Sequence, residues 1–258
     1  MPKLAAVSVA LVLLSTPAFS QSLGPVSGPL TDAPAAEPPA PSFGSLFRSL
    51  AGDFGRLPSL ETALVLGTAG GISLAAQRND ALLTRRAVAS ETLDLVFEPG
   101  DVVGGGLSQV GGALATYLVG RATGHPRVAV LGGDLLRAQM VNSVLTQGIK
   151  LAVDRPRPDL GRYSFPSGHA SATFATAAVL QRHYGWKAGV PAYGLAAFVA
   201  GSRIQENRHF LSDVVFGAAI GVVSGRAVSV GHGRGRFAVA PIGVPGGGGI
   251  GFTLAGRQ

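Results

Sequence analysis

The chain has 258 residues, of which 47% are hydrophobic and only 14% charged, with a mean hydropathy of +0.35 and a net charge of +7. This length allows one large domain or a domain with a tail, and the hydropathy leaves a membrane protein open. The absence of cysteine excludes a disulfide framework, a thiol nucleophile and a thiolate metal site. The positive charge suits anionic lipids or substrates, whereas scattered basic residues and 7% aromatics argue against nucleic-acid binding.

Residues 1–20 have the pattern of a secretory signal peptide. Lys3 supplies positive charge, a short apolar run follows, and Ala18 and Ser20 place small residues where a signal peptidase would cleave before Gln21. The alternative is an uncleaved anchor, although the apolar run is short for a membrane span. We therefore expect export, to the periplasm or to the outer side of the cytoplasmic membrane.

The next segment, 21–57, combines a linker with a short helix. Its first part is rich in proline, alanine, serine and glycine, and such a composition buries too little surface to offset its ordering entropy. Phe43, Leu46, Phe47 and Leu50 then recur at helical spacing. We predict a flexible linker followed by an amphipathic helix that packs on the domain or touches a membrane.

Residues 58–230 favour helices throughout, and we predict an all-α fold, a helical bundle of about six core helices. The candidate helices cover 59–77, 80–95, 106–121, 126–152, 168–183, 187–202 and 209–229. Most uncharged stretches are shorter than the ~20 residues needed to cross a bilayer, which favours a water-soluble or peripherally attached bundle. The high hydropathy favours a bundle that spans the membrane.

The tail, 231–258, changes character. It alternates between polar and apolar residues, passes through Pro245 and four glycines, and becomes apolar again. This pattern predicts a short C-terminal β-hairpin around a glycine loop, and a disordered glycine-rich tail is the alternative.

Three short clusters carry the chemistry. In the first, Lys150 lies near the end of a predicted helix, and Arg157 follows in a segment that Pro156 and Pro158 force out of helix. A lysine and an arginine placed in this way can converge on one anion, the lysine as a point charge and the arginine as a planar fork. Taken alone, this pattern is weak, because Arg155-Pro156 is a second Arg-Pro pair.

The second cluster, Pro166-Ser167-Gly168-His169, directly precedes an apolar helix. Ser167 is a favourable N-cap residue, and Gly168 lets the backbone approach a ligand. The free N–H groups at such a helix start favour an anion, and His169 would lie at the rim of that site. An ordinary capped helix with an exposed histidine is the alternative.

In the third cluster, Ser202-Arg203 ends one predicted helix and His209 opens the next, with Asp213 four residues later on the same face. An aspartate at this distance can accept a hydrogen bond from one ring nitrogen of the histidine and leave the other free to attack. A surface His–Asp pair is the alternative, but it does not explain why all three clusters occur together.

The three clusters together match the signature of the type 2 phosphatidic acid phosphatase (PAP2) superfamily, which also contains bacterial acid phosphatases and vanadium haloperoxidases. That signature is Lys, six residues, Arg-Pro; then Pro-Ser-Gly-His; then Ser-Arg, five residues, His, three residues, Asp. Every defined position is present in order. The resemblance covers roughly Leu60 to Val230, and the short loop between Pro158 and Pro166 is most similar to bacterial lipid-phosphatase-like members.

The resemblance implies a metal-independent phosphatase that uses no cofactor and acts on phosphate monoesters or diphosphates through a phosphohistidine. It implies that His209 is the nucleophile, that Asp213 orients it, and that His169 protonates the leaving oxygen and then activates water. The residues implied to bind the phosphoryl oxygens are Lys150, Arg157, Ser167, Gly168 and Arg203.

The expected substrates are phosphorylated lipids, such as phosphatidate or an isoprenyl diphosphate, or small phosphate esters, and membrane association would accompany a lipid substrate. Two other functions stay open. A vanadate-dependent haloperoxidase would use the same anion site, but the short loops and modest length disfavour it. A non-catalytic phosphate- or lipid-binding module would not need His169, His209 and Asp213.

Overall fold

The computed structural model describes residues 40–228, 236–244 and 247–255. The predicted signal peptide and most of the predicted linker lie outside these residues, so both stay predictions. The helices of the described chain are α1 Phe43–Gly55, α2 Leu60–Gln77, α3 Asp80–Val88, α4 Glu91–Phe97, α5 Gly100–Gly104, α6 Gly106–Ala122, α7 Pro126–Val153, α8 Gly168–Tyr184, α9 Trp186–Gln205 and α10 Leu211–Val228. The all-α prediction is confirmed, and the six longest helices (α2 and α6 to α10) form the bundle.

The helix predicted over 80–95 is wrong, because the structure divides it. The break occurs at Ser90, whose hydroxyl accepts a hydrogen bond from the amide of Leu93 at 3.4 Å and so begins α4. The short helix α5 was not predicted, since five residues are too few to show a hydrophobic period.

Close packing of α8 against α10 sets the distance between the second and third clusters. A Cβ added at Gly217 would come within 2.6 Å of the Ser167 carbonyl oxygen, and one added at Gly221 would clash with the Ser171 carbonyl oxygen. At the same end, the Ser167 amide donates to the Asp213 carbonyl oxygen at 3.0 Å. Glycine on α10 therefore lets the backbones of the two clusters touch.

Helix α1 lies where the sequence predicts an amphipathic helix, and its Leu46 joins the buried cluster around Tyr117 and Leu135. The Tyr117 hydroxyl donates to the Pro41 carbonyl oxygen at 2.8 Å, which fastens the start of this helix to α6. The predicted docking on the domain is thus observed for the described part of the segment.

Within the described ranges, α10 is long and apolar enough to cross a membrane, and α1 with α2 would be a second candidate if this pair, bent by 72°, were one span. Two-thirds of the apolar stretch in α10 is buried inside the protein (67%), as in the core helix of a soluble bundle. Helix length alone therefore gives weak evidence for a membrane span.

The C-terminal segment contains two strands, β1 Arg236–Val244 and β2 Gly247–Ala255. They pair antiparallel, from Arg236 opposite Ala255 to Val244 opposite Gly247. The hairpin lies in the segment for which the sequence predicts one.

Candidate active site

The first cluster is built where α7 ends. Asp154 adopts the left-handed conformation, with φ 43°, and Pro156 and Pro158 keep the following residues out of helix. Lys150 lies in the last turn of α7, and Arg157 lies in the irregular loop, as predicted. The Lys150 Nζ donates to the Tyr163 carbonyl oxygen at 2.5 Å, so the ammonium is held by the same loop that carries Arg157.

The second cluster begins α8 with Ser167 at the N-cap position, but its side chain does not cap the helix. Its hydroxyl oxygen is buried and has no hydrogen-bond partner among the described residues. A Cβ added at Gly168 would have its nearest neighbour, Lys150 Cε, at 3.9 Å, an ordinary contact. Protein packing therefore does not require glycine here, and the backbone lies open towards the cavity described below.

The third cluster corrects one prediction, because His209 does not open a helix. It lies in the turn before α10, which follows Asn207 in the left-handed conformation with φ 60°. The Asp213 carboxylate accepts a hydrogen bond from the Phe210 amide at 2.9 Å, and the Phe210 carbonyl oxygen accepts one from the Asp213 amide at 3.1 Å. This reciprocal pair at the helix start, rather than a shared helical face, places Asp213 beside His209.

The His209 Nδ1 lies 3.7 Å from the Asp213 Oδ2, a distance at which the charges interact but which is longer than a hydrogen bond. Asp213 is fully buried and His209 is 3% exposed. The pair faces each other through Nδ1, so the Nε2 atom is the nitrogen left for other chemistry.

The clusters meet at a cavity of about 280 Å³. Its lining includes five of the predicted site residues: Lys150, Arg157, Gly168, His169 and His209. The lining also includes Gly106 and Val110 near the start of α6 and several polar residues of α7 between Gln139 and Lys150. The structure thus brings two cations and two imidazoles around one space.

Three buried polar atoms at this site have no hydrogen-bond partner within the described part of the chain: Ser167 Oγ, Arg157 Nε and His209 Nδ1. Buried polar groups in native proteins are nearly always paired, and exceptions often mark functional sites. Arg157 and His209 also line the cavity, whereas Ser167 directly precedes the lining residue Gly168.

Burial is the main influence on the titration of the site. It lowers the pKa of Lys150 to about 8, with the positive charge of Arg157 as a second cause. It also lowers the pKa of His169 to about 4, helped by Arg203 and opposed by Asp101. The pKa of His209 is lowered mainly by burial, with Lys150 contributing. Both imidazoles are consequently neutral near pH 7, as a nucleophile must be.

Arg203 is placed differently from Lys150, Arg157 and Gly168, which line the cavity. It is 2% exposed and does not line the cavity. Its NH1 donates to the Asp101 Oδ1 at 2.6 Å, its NH2 pairs with Glu206, and its Nε donates to the Ser202 hydroxyl at 3.3 Å. Each nitrogen of the guanidinium thus has a protein partner, so phosphate binding by Arg203 would require one carboxylate to leave.

Asp101 was missed by the sequence analysis. Its Oδ1 also lies 3.1 Å from the His169 Nε2, so one carboxylate oxygen bridges the arginine and the histidine. Asp101 stands on α5, about one hundred residues from Arg203, and no motif marks it. Tertiary packing alone brings it to the site.

Arg155 and Ser164 were also missed. The Arg155 NH1 donates to the Asp213 Oδ1 at 2.7 Å, and the Ser164 hydroxyl donates to the Asp213 Oδ2. The sequence signal for Arg155 is the doubled Arg-Pro pair, which by itself only makes the first cluster less specific. Both residues act on Asp213, the partner of His209.

A metal site is not apparent among the residues that the structure describes, since no group of three or more histidine, aspartate or glutamate side chains there could hold an ion. The predicted absence of a metal and of a cofactor stays a prediction.

A family model described as the PAP2 superfamily matches residues 160–236, which contain the second and third clusters. The chain is therefore similar to the PAP2 superfamily over this segment, which is less than half of its length. Lys150 and Arg157, which precede the matched segment, stand at the remaining positions of the signature described above.

One curated relative of this chain is a lipid A 1-phosphatase of Porphyromonas gingivalis (strain ATCC 33277), 37% identical over 100 residues. The alignment covers 37% of this chain and 22% of the relative, so the chain spans about a fifth of that protein's length.

Two crystal structures are similar. LpxE of Aquifex aeolicus has a TM-score of 0.48 and 24% identity, covering 57% of this chain and 92% of LpxE. A transmembrane PAP2-type phosphatidylglycerolphosphate phosphatase of Bacillus subtilis has a TM-score of 0.46 and 22% identity, covering 72% and 92%.

Proposed function

We propose that the chain is a phosphatase that hydrolyses phosphate monoesters or diphosphates of lipids through a phosphohistidine on His209, without a metal. The observation that carries this proposal is the placement of His209 and His169 on one cavity with the cations of Lys150 and Arg157. A site that only bound phosphate would need the cations but not a buried imidazole backed by a carboxylate.

In the first step, the Nε2 lone pair of His209 attacks phosphorus, and the bond from phosphorus to the leaving oxygen breaks. The leaving oxygen keeps the electron pair of the broken bond and receives a proton from His169. The leaving group then departs as the alcohol or phosphate product. Asp213 stabilises the positive charge that forms on the His209 ring. Lys150 and Arg157 offset the charge on the equatorial phosphoryl oxygens, where fixed cations act most strongly.

In the second step, His169 accepts a proton from water as the water oxygen attacks phosphorus. The phosphorus–nitrogen bond breaks, its electron pair returns to His209, and phosphate leaves. His169 ends the cycle protonated and His209 neutral, so the net reaction consumes one water. Since burial keeps the pKa of His169 at about 4 in the free site, the incoming phosphate dianion must raise it before the acid step.

Exposed apolar side chains support a lipid substrate and association with a membrane. On α6, Leu107, Leu114 and Leu118 recur at helical spacing and are 89%, 38% and 52% exposed, and α2 exposes Leu64 and Ile72. Leu114 and Leu118 are one helical turn apart, so α6 presents neighbouring apolar side chains of the kind that mark interaction sites when they form a patch. The net charge of +7 favours anionic lipid as the partner over a second basic chain.

The test of this function is phosphate release from a panel of phosphatidate, an isoprenyl diphosphate, a sugar phosphate and an activated aryl phosphate. We expect turnover in the presence of EDTA, inhibition by vanadate, and preference for the lipid substrates. Loss of turnover in EDTA, with recovery on adding a divalent metal, would contradict the metal-free mechanism. Retention of the protein in membranes after a carbonate wash would support an integral attachment.

A further inference from the structure

We propose that Arg155 and Asp80 form a positioning pair that orients Asp213 and sets the basicity of His209, an inference that rests on the proposed function. Neither residue lines the cavity, and neither is part of the signature that the sequence matches. Their role would be to act through Asp213, not on the substrate.

The Arg155 guanidinium joins two carboxylates. Its NH1 lies 2.7 Å from the Asp213 Oδ1 and 2.7 Å from the Ser212 hydroxyl, and its NH2 lies 2.9 Å from the Asp80 Oδ2. The guanidinium carbon also stands 4.4 Å from the centre of the Phe210 ring. The hydrogen bonds along its edge and the ring on its face together restrict rotation of the guanidinium.

Asp80 fixes the other end of this arrangement. It is the first residue of α3 and is 2% exposed. Its Oδ1 accepts from the Ser212 amide at 3.1 Å, and its Oδ2 accepts from the Ser212 hydroxyl. The Ser73 hydroxyl on α2 donates to the Ser212 carbonyl oxygen at 2.9 Å. Two helices remote in sequence thereby hold the residue next to Asp213.

Each carboxylate oxygen of Asp213 has its own hydrogen-bond partners, which fix the orientation of the carboxylate. Arg155 takes the Oδ1, while the Ser164 hydroxyl and the Phe210 amide take the Oδ2, which is the oxygen that lies 3.7 Å from the His209 Nδ1. Without Arg155 the carboxylate would lose the contact that fixes its plane. A displacement of about 1 Å in a catalytic group can cost about 10²-fold in rate.

The charges add a second effect. Asp213 favours a protonated His209, and Arg155 partly cancels that influence, while Asp80 partly cancels Arg155. The charged and titratable groups around His209 that must be considered are Lys150 from α7, Arg157 from the loop, His169 from α8, Asp213 from α10, and the Arg155–Asp80 pair behind Asp213. Removing Arg155 should therefore raise the pKa of His209, and removing the charge of Asp80 should lower it.

The experiment uses the full chain and an aryl phosphate, with Arg155→Met, Arg155→Lys, Asp80→Asn and the double variant of Met and Asn. We expect kcat to fall about 10- to 100-fold in Arg155→Met, while the inhibition constant of inorganic phosphate changes less than about 3-fold. The apparent pKa of the acid limb in the pH profile of kcat/KM should increase in Arg155→Met and decrease in Asp80→Asn. It should return towards the wild-type value in the double variant.

Arg226→Met is the matched control, because Arg226 on α10 also pairs with a carboxylate of another helix, Glu61 on α2, but does so near the other end of α10, away from Asp213. It should leave kcat and the pH limb unchanged. If Arg155→Met fails to fold, judged by circular dichroism, Asp80→Asn and Arg155→Lys carry the test. The inference would be overturned if Arg155→Met and Asp80→Asn shifted the apparent pKa of the acid limb in the same direction. It would also be overturned if Arg226→Met lost as much kcat as Arg155→Met. Failure of the wild type to hydrolyse the aryl phosphate would instead overturn the proposed function.

Discussion

Replacing Asp101 by asparagine should tighten phosphate binding, because Asp101 competes with phosphate for Arg203 and His169. Its Oδ1 lies 2.6 Å from the Arg203 NH1 and 3.1 Å from the His169 Nε2, so it stands between the two groups that the family signature assigns to the phosphoryl group. Asparagine keeps the shape of the side chain and removes the negative charge that repels an incoming phosphate.

The magnitude follows from exposure. The Asp101 side chain is 61% exposed, so water and salt screen its charge, and exposed pairs of this kind contribute about 0.2–1 kcal/mol. One kcal/mol corresponds to about 5-fold in a binding constant. We therefore expect the inhibition constant of vanadate or inorganic phosphate to fall by up to about 5-fold in Asp101→Asn.

The assay is inhibition of aryl phosphate hydrolysis at fixed ionic strength, repeated at high salt. Asp94→Asn is the matched control, since Asp94 belongs to the same acidic surface but contacts Gln205 instead of Arg203. It removes the same charge and should change the inhibition constant less. An unchanged or higher constant in Asp101→Asn, or equal changes in both variants, would refute the competition between Asp101 and phosphate.

Two further predictions concern His169, and a third concerns the N-terminal sequence. In His169→Ala, hydrolysis of an alkyl phosphate should fall about 10²–10⁴-fold, and hydrolysis of an activated aryl phosphate far less, because a good leaving group needs little protonation; equal losses would mean that the acid is another residue. Stability should decrease as the pH falls from about 6.5 to about 4, because the unfolded chain protonates His169 near 6.5 and the folded chain only near 4; thermal unfolding of His169→Gln should show a shallower dependence. Mass spectrometry of the exported protein should find Gln21 at its N-terminus, and an intact Met1 would contradict cleavage.

Local sequence signals predicted the parts of the site that depend on local geometry. Pro156 and Pro158 end α7 and place Arg157 in a loop, because a proline restricts the residue before it whatever the tertiary context. The apolar runs predicted the long helices to within a few residues, because the pattern of a helix is also a local property of the sequence. Ser167 was correctly placed at a helix start, but the fate of its hydroxyl depends on the cavity and could not be predicted.

The contacts missed by sequence analysis are all long-range. Asp80 and Asp101 reach the site from α3 and α5, across 132 and 102 residues of chain, and neither belongs to a periodic pattern or motif. His209 was placed on a helix because the spacing to Asp213 fits one helical turn. The structure reaches the same proximity through a capping turn, and spacing cannot distinguish these geometries.

Capture of the covalent intermediate tests the central claim most directly. The chain is mixed with ³²P-labelled substrate, quenched in alkali within the first turnover, and analysed for protein-bound label that is stable to base and labile to acid, as a phosphohistidine would be. We expect label on a peptide that contains His209, reduced capture in Asp213→Asn, and none in His209→Ala. Full labelling in His209→Ala, or phosphate release by the wild type with no labelled protein at any time, would contradict nucleophilic catalysis by His209.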